Sequence, residues 1–509
     1  MALRFWLLGF SSLLILILAA CSGPDIDSIN GLDRVSYGTG TPMQTFDPHR
    51  SDAGPVFSTY LTLVYDGLTQ ADQENVGKAL PGLAKGWRWV NDLTIEFQLR
   101  EGIRFIDGEP FNAAAAKANL DRMLAAEGPR SATVASIRQA VVIDDLTLQI
   151  NLNYPDPTLT YNLGLSPGMM ISPAAFDHPH LDLNPVGTGP WIYDFDNSTL
   201  GEVHRFVRNP NYYQGHPEGR ADYEIRVLLD SRARLNALIS GQIDFAVLSP
   251  SEAEYAKRQG FSLTTRKSRW MGMTILDRDG ELVPELADVR VRQALGFAID
   301  RQAMADVVYF GFAEPASQPM ATLGHVTSLQ GFYNYDPDRS RALLKEAGVE
   351  GFEFTVPVLP TNSAEYETIQ HYLKQVGINM TIKVIEPGTI GALARTKTFP
   401  VNTIGYPNYD PDSRHLAIWG TKAAFNPFKI KTPQLDALAS QARQTLDESL
   451  REQLFQEYFN VVVNRGYSII YLHLEDVVVF DGNKLSDVQI SRYIDPRLRE
   501  VKLRSEVIQ

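Results

Sequence analysis

The residue best placed to do chemistry is a lone thiol. Cys21 is the only cysteine among 509 residues, so no disulfide can form within the chain; it follows Leu18-Ala19-Ala20 and precedes Ser22-Gly23. One cation, Arg4, leads an apolar run broken only by Gly9, Ser11 and Ser12. The run is shorter than the roughly 20 residues that cross a bilayer, and it ends in small residues suited to cleavage. The pattern predicts an exported chain that loses residues 1–20 as a lipoprotein-type signal peptide and is acylated at Cys21. Acyl chains contribute about 0.8 kcal/mol per buried methylene, so several chains on one cysteine would tether the protein to a bilayer without inserting it.

Other side chains whose spacing could support chemistry are weaker. His178-Pro179-His180 puts two imidazoles close together, yet a proline separates them and no acidic or thiol partners cluster nearby, so a surface loop is expected and no metal. Gly187 and Gly189 flank Thr188 in a pattern that superficially suits a phosphate loop, but the third glycine and the lysine are missing, so a tight turn is the better reading. No G-x-S-x-G elbow, HExxH helix or comparable nucleophile and base pair occurs. The sequence therefore predicts neither an enzyme nor a cofactor.

The elements that must position any site are legible from periodicity. Thr94 to Arg100 alternates, with Ile95, Phe97 and Leu99 on one face, and Leu146 to Leu152 repeats the device with Thr147, Gln149 and Asn151 expected to face out. The alanine-rich segment Asn112 to Leu124 between them reads as helix. Further on, Val291, Leu295, Ala298 and Ile299 predict one helix filling most of 289–310, and Asp336-Pro337 opens another that Gly348 ends. A third helix spans Glu365 to Val376, and a strand follows from Thr381 to Ile385. Helices alternating with strands imply an α/β protein. With 44% hydrophobic and 21% charged residues the chain can bury large cores in two or three domains, and its net charge of −13 argues against nucleic acid as a partner.

Several phrases in order carry a resemblance. They begin with Thr45-Phe46-Asp47-Pro48-His49-Arg50, Tyr65-Asp66-Gly67-Leu68-Thr69 and Leu80-Pro81-Gly82-Leu83-Ala84. Leu99-Arg100-Glu101-Gly102-Ile103-Arg104-Phe105, Pro185-Val186-Gly187-Thr188-Gly189-Pro190-Trp191 and Gly241-Gln242-Ile243-Asp244 follow. Asp288-Val289-Arg290-Val291-Arg292-Gln293-Ala294-Leu295 and Tyr335-Asp336-Pro337 complete the set. Together they resemble the family 5 extracellular solute-binding proteins of ABC importers, the oligopeptide, dipeptide and nickel type. The resemblance implies a type II periplasmic-binding-protein-like α/β fold, with two lobes around a cleft and an inserted third domain. Mapped onto this chain, lobe I would be 25–60, 188–285 and 479–509, the inserted domain 61–187, and lobe III 286–478. The ligand would lie between lobes I and III and close them by hinge motion.

The resemblance also assigns candidate ligand contacts. Asp52 and Gly54 fall in a loop that touches ligand backbone in peptide binders. Ser249 follows the strand that begins at Asp244, Trp270 falls where an aromatic residue crosses between lobes, and His473 lies near the return into lobe I. The segment Gly405, Tyr406, Asn408, Tyr409, Asp410 and Asp412 corresponds to one that lines the cleft. There the peptide binders hold the ligand's α-ammonium with an aspartate, and this chain has Pro407 at that position. Asp410-Pro411 repeats the helix-start pattern, so Asp410 reads more simply as a cap than as a ligand contact. The function implied is a monomeric, extracytoplasmic, lipid-anchored binder that hands a peptide or peptide-like solute to ABC permease subunits. Pro407 keeps a metal chelate or an opine-like solute open, and other classes, a lipid-anchored hydrolase or a periplasmic chaperone or sensor subunit, stand as alternatives.

Overall fold

The computed structural model describes residues 34–51, 58–75, 77–126, 130–217, 219–386, 388–407, 411–491 and 496–504. β1 (Arg34–Thr39) starts a large mixed sheet, and the chain then leaves it. The hairpin of β2 (Thr69–Ala71) and β3 (Ala79–Pro81) leads into β4 (Ala84–Asn91), β5 (Thr94–Leu99), β6 (Ile137–Asp144) and β7 (Thr147–Leu152). These last four form their own antiparallel sheet in the order β4-β5-β7-β6. β5 shows the alternation read from its sequence, with Ile95, Phe97 and Leu99 fully buried. The helix Ala113–Ala125 packs on this sheet, started by Asn112, whose side chain accepts from the Ala115 amide.

β7 departs from the expectation. Thr147 and Asn151 are buried instead of facing water, because β7 is a central strand and its polar side chains are met by neighbours on the sheet. From β5, Gln98 donates to Thr147 at 3.1 Å and Thr94 to Asn151 at 3.4 Å, while Gln149 of β7 itself donates to Asn151 at 2.9 Å.

The chain re-enters the large sheet through β8 (Trp191–Tyr193), β9 (Val203–Arg208), β10 (Asp222–Val227) and β11 (Phe245–Leu248). β12 (Ser262–Ile275) follows, then β13 (Ala313–Pro315), the parallel pair β14 (Phe352–Val358) and β15 (Ile378–Val384), β16 (Val401–Asn402), β17 (Tyr406–Pro407) and β18 (Ser468–Phe480). The sheet order is β16-β12-β18-β11-β1-β10-β9-β8, with β13 on β18 and β17 on β12.

Two lobes share this sheet. The core around Tyr37, Phe46, Trp191 and Ile225 lies at one end, and that around Trp270, Leu295, Tyr366 and Trp419 at the other. The four-stranded unit keeps a separate core built from residues between Leu68 and Met170. Of the described strands, only β12 and β18 run the full way between the lobes. Ser262–Lys267 pairs with Glu475–Phe480 near β11, and Arg269–Thr274 pairs with Ser468–Leu474 inside the second core. Their register slips between Lys267 and Arg269, so Ser268 forms a bulge at the passage from one lobe to the other.

The helix expected over 289–310 is two helices, Val289–Phe297 and Arg301–Val307. Asp300 breaks it: with φ −79° and ψ 95° it is extended, and its side chain accepts from the Ala303 amide, starting a second helix where the periodicity alone would continue the first. Asp336 caps Pro337–Glu346 as expected, bonding the Arg339 amide at 2.8 Å.

Three buried histidines set an acid limit on this fold. Burial, first of all, holds His49, His204 and His473 down to about 4. Each therefore stays neutral in the folded chain while an unfolded imidazole titrates near 6.5. Their stabilisation is complete above pH ~6.5 and drains as the pH falls toward 4, by up to about 3 kcal/mol per histidine. Thermal melts are expected to show a steep fall in melting temperature across that window; a flat profile there would contradict the assignment.

Candidate functional site

A cavity of about 200 Å³ opens where the helix Ser58–Val64 and the four-stranded unit meet the C-terminal arm. Leu61, Leu165, Met169 and Leu498 supply apolar wall, and between them stand Asp66, Arg130, Arg497, Arg499 and Glu500. The arm is riveted in place by charge. Arg499 donates to Asp66 at 2.8 Å and to the Tyr65 carbonyl at 2.7 Å, while Thr188 donates to the other Asp66 oxygen at 3.1 Å. The turn Gly187–Gly189 thus serves packing: a Cβ on Gly189 would strike the backbone of Val64.

The hairpin loop between β2 and β3 joins this cavity to the hinge. Glu74 pairs with Arg497 of the arm and, at 3.3 Å, with Arg266 of β12. Arg266 also donates to the carbonyls of Gln73 and Ile490. From the same loop, Lys78 reaches Glu448 of the second lobe at 3.2 Å. One loop therefore touches the hinge strand, the arm and both lobes.

The residues singled out from the sequence lie elsewhere. Trp270 is fully buried in the second lobe, stacked on Trp419 with ring centres 6.1 Å apart and tilted against Tyr406 at 4.9 Å. The pairing of Trp270 with both Tyr406 and His473 fixes its face on the sheet. Gly405 lets β17 approach β12, since a Cβ there would run into the Met271 sulfur. Tyr406 accepts from Asn402 at 3.0 Å and lies under Arg414. Asp412 holds Arg443 at 2.7 and 2.9 Å, beside a small cavity lined by Asp156 and Thr158 of the four-stranded unit.

His473 sits opposite Trp270, with Nε2 2.8 Å from the Gln318 carbonyl, so that nitrogen carries the proton and Nδ1 is left without a partner among the described residues. Ser249 begins the helix Pro250–Arg258 without capping it, its hydroxyl 3.3 Å from Ser251. Trp270, Gly405, Tyr406 and His473 thus gather on β12, β17 and β18, whereas Ser249 and Asp412 lie apart; none of the six lines the larger cavity. Cys21, Asp52, Gly54, Asn408, Tyr409 and Asp410 lie outside the described residues.

Arg130, Thr59 and Ser166, which do line that cavity, are absent from the sequence-based set. Arg130 follows Gly128-Pro129 in a turn-like phrase that carries no local sign of a site. His415 is packed, bonded to Tyr458 at 3.0 Å and 3.3 Å from Asp436. His178 and His180 have ring centres 6.1 Å apart on the surface. Among the described residues, no group of three or more His, Cys, Asp or Glu side chains is placed to hold a metal, and no helix is long and apolar enough to cross a membrane.

Comparison with known proteins gives this geometry its context. The profile of the bacterial extracellular solute-binding proteins, family 5 Middle, matches residues 78–426. The glutathione-binding protein GsiB of Salmonella typhi is 32% identical over 374 residues, 70% of each chain. The ABC transporter substrate-binding protein CtaP of Listeria monocytogenes superposes with a TM-score of 0.81 at 20% identity, covering 92% of this chain and 99% of its own. The dipeptide-binding protein of Pseudoalteromonas sp. SM9913, solved with Met-Leu, gives 0.74 at 20% identity, covering 92% and 100%.

Proposed function

The chain belongs to family 5 of the bacterial extracellular solute-binding proteins, and on that premise we propose that its solute is a peptide or peptide-like organic molecule. It is the substrate-binding component of an ABC importer, and the family is one of non-catalytic binders. The solute is held between the two lobes. The observation that carries this reading is that β12 and β18 join the two cores as one paired ribbon with a bulge at Ser268. A molecule that touches both lobes favours the closed arrangement, and the interrupted ribbon is where the lobes can turn about each other, which is what a binder that closes on its solute requires.

The proposed boundaries of the lobes and inserted domain are those mapped from the family resemblance. The protein acts as a monomer, anchored at an extracytoplasmic membrane face through acylated Cys21, and the anchor raises its effective concentration near the permease. Cys21→Ser is expected to move the protein from the membrane to the soluble fraction after cell fractionation; unchanged membrane retention would refute the anchor.

The capture reading is tested by native mass spectrometry of protein purified without refolding, followed by denaturation and identification of the released molecule. A peptide or related organic molecule at about one per chain is expected. Protein that releases nothing, and does not compact in small-angle scattering with any peptide offered, would overturn it.

A further inference from the structure

We propose that the four-stranded unit is a latch for closure: it docks on the second lobe directly, and so sets how much of the empty protein is closed without touching the solute. This rests on the reading of β12 and β18 as the hinge. Arg122 of the four-stranded unit holds Asp47 of the first lobe, so that unit moves with the first lobe when the ribbon bends. The second lobe meets it along one helix, Glu448–Asn464. Glu448, Arg451 and Phe455 recur there at helical spacing and share a face. Lys78 of the β2–β3 loop pairs with Glu448 at 3.2 Å. Arg451 and Phe455 enclose a small cavity with Gly77, Asp156 and Thr158 of the four-stranded unit and its hairpin.

Opposite charges stand on the two sides of that cavity. Arg451 is only 7% exposed, and its guanidinium makes no hydrogen bond or ion pair among the described residues. An arginine buried that far without a partner is rare, and the acid across the cavity belongs to the other body. Asp156 is 8% exposed, and its carboxylate is fixed by the Ser136 hydroxyl at 2.6 Å and by the Thr158 amide and hydroxyl at 2.9 and 2.8 Å. The cavity is about 30 Å³, which fits a water that bridges the two charges. The other arginine in the wall, Arg443, is already held by Asp412. Asp412 ends the segment that the family resemblance places along the cleft, so this contact lies on the side where the lobes approach on closing. When the lobes part, the Lys78–Glu448 pair breaks and Arg451 and Asp156 return to water. The contact therefore exists in one arrangement of the lobes and not in the other, which is what a latch requires.

The test is a spin-label distance measurement on the empty full chain carrying Cys21→Ser, with labels on Leu200→Cys of the first lobe and Val384→Cys of the second, both exposed positions. Lys78→Glu turns the pair with Glu448 into a repulsion and is expected to lower the share of the closed distance about 2- to 10-fold; Glu448→Lys should do the same. The swap Lys78→Glu/Glu448→Lys should return that share to within about twofold of the wild type. Both side chains are more than half exposed, so melting temperatures should stay where they are. Arg451→Met keeps an apolar stem, removes the charged fork, and should lower the closed share by a similar factor. A swap that fails to restore the closed share, an unchanged distribution in Lys78→Glu, or a closed share that is unchanged or higher in Arg451→Met would each overturn the latch. Two distances whose ratio no variant alters would overturn it while leaving the hinge intact, and a single distance in every variant would overturn the hinge reading with it. If Arg451→Met does not fold, the charge swap decides.

Discussion

Arg122→Ala is expected to cost about 3–5 kcal/mol of folding stability, the usual consequence of leaving a buried charge without its partner. Arg122 stands on the helix Ala113–Ala125 of the four-stranded unit and reaches into the first lobe. It meets both oxygens of Asp47 at 2.6 and 2.9 Å, and Nδ1 of His49 at 2.9 Å. The far side of His49 is fixed by the Met169 carbonyl at 3.2 Å. Burial on its own would push the Asp47 carboxyl up, but the bonds and charge of Arg122 hold it below its ordinary value. Without the guanidinium, a carboxylate only 3% exposed is left with the solvent-exposed Arg50, 3.6 Å away, as its one cation among the described residues. The double variant Asp47→Leu/Arg122→Met is expected to recover most of the loss, because a well-packed apolar pair can replace a buried ion pair. Denaturant titration measures both; a single variant that melts like the wild type would show that the triad does not join the two units.

Trp270→Ala should cost a similar amount, about 3–5 kcal/mol, because it empties an indole-sized space between Trp419 and Tyr406 in a fully buried core. Trp270→Phe separates packing from recognition. It keeps most of the apolar volume and removes only the indole N–H, which has no partner among the described residues, so its stability cost should be near ~1 kcal/mol and solute affinity should stay within about threefold. A tenfold loss of affinity in Trp270→Phe at nearly unchanged stability would place Trp270 in the ligand site.

The contrast between those two arginine and tryptophan sites marks how far the sequence could be read. Local rules were sufficient where local chemistry decides: the alternation of β5, the alanine-rich helix after Asn112, the Asp336 cap, and the order of phrases that carries the family resemblance. A local cap at Asp300 overrode an apparently continuous helical stripe, and the rules failed where a neighbour decides: the central position of β7 buried Thr147 and Asn151. Trp270 lies in a stretch of β12 that is buried almost without alternation, so its face could be known only from the pairing with His473 and Tyr406.

The two long strands have a mechanical meaning. β12 and β18 contain 14 and 13 residues, about 45 Å of continuous backbone, and they stay paired to each other on both sides of the bulge at Ser268. Bending the protein therefore cannot proceed by unzipping one lobe from the other; it has to twist a hydrogen-bonded ribbon, and the notch at Ser268 is where the ribbon is most compliant. Such a ribbon exerts an elastic restoring torque. The resting angle of the empty protein, and the speed with which it springs open once its solute has left, are then properties of these two strands, which can be tuned without altering a single contact to the cargo.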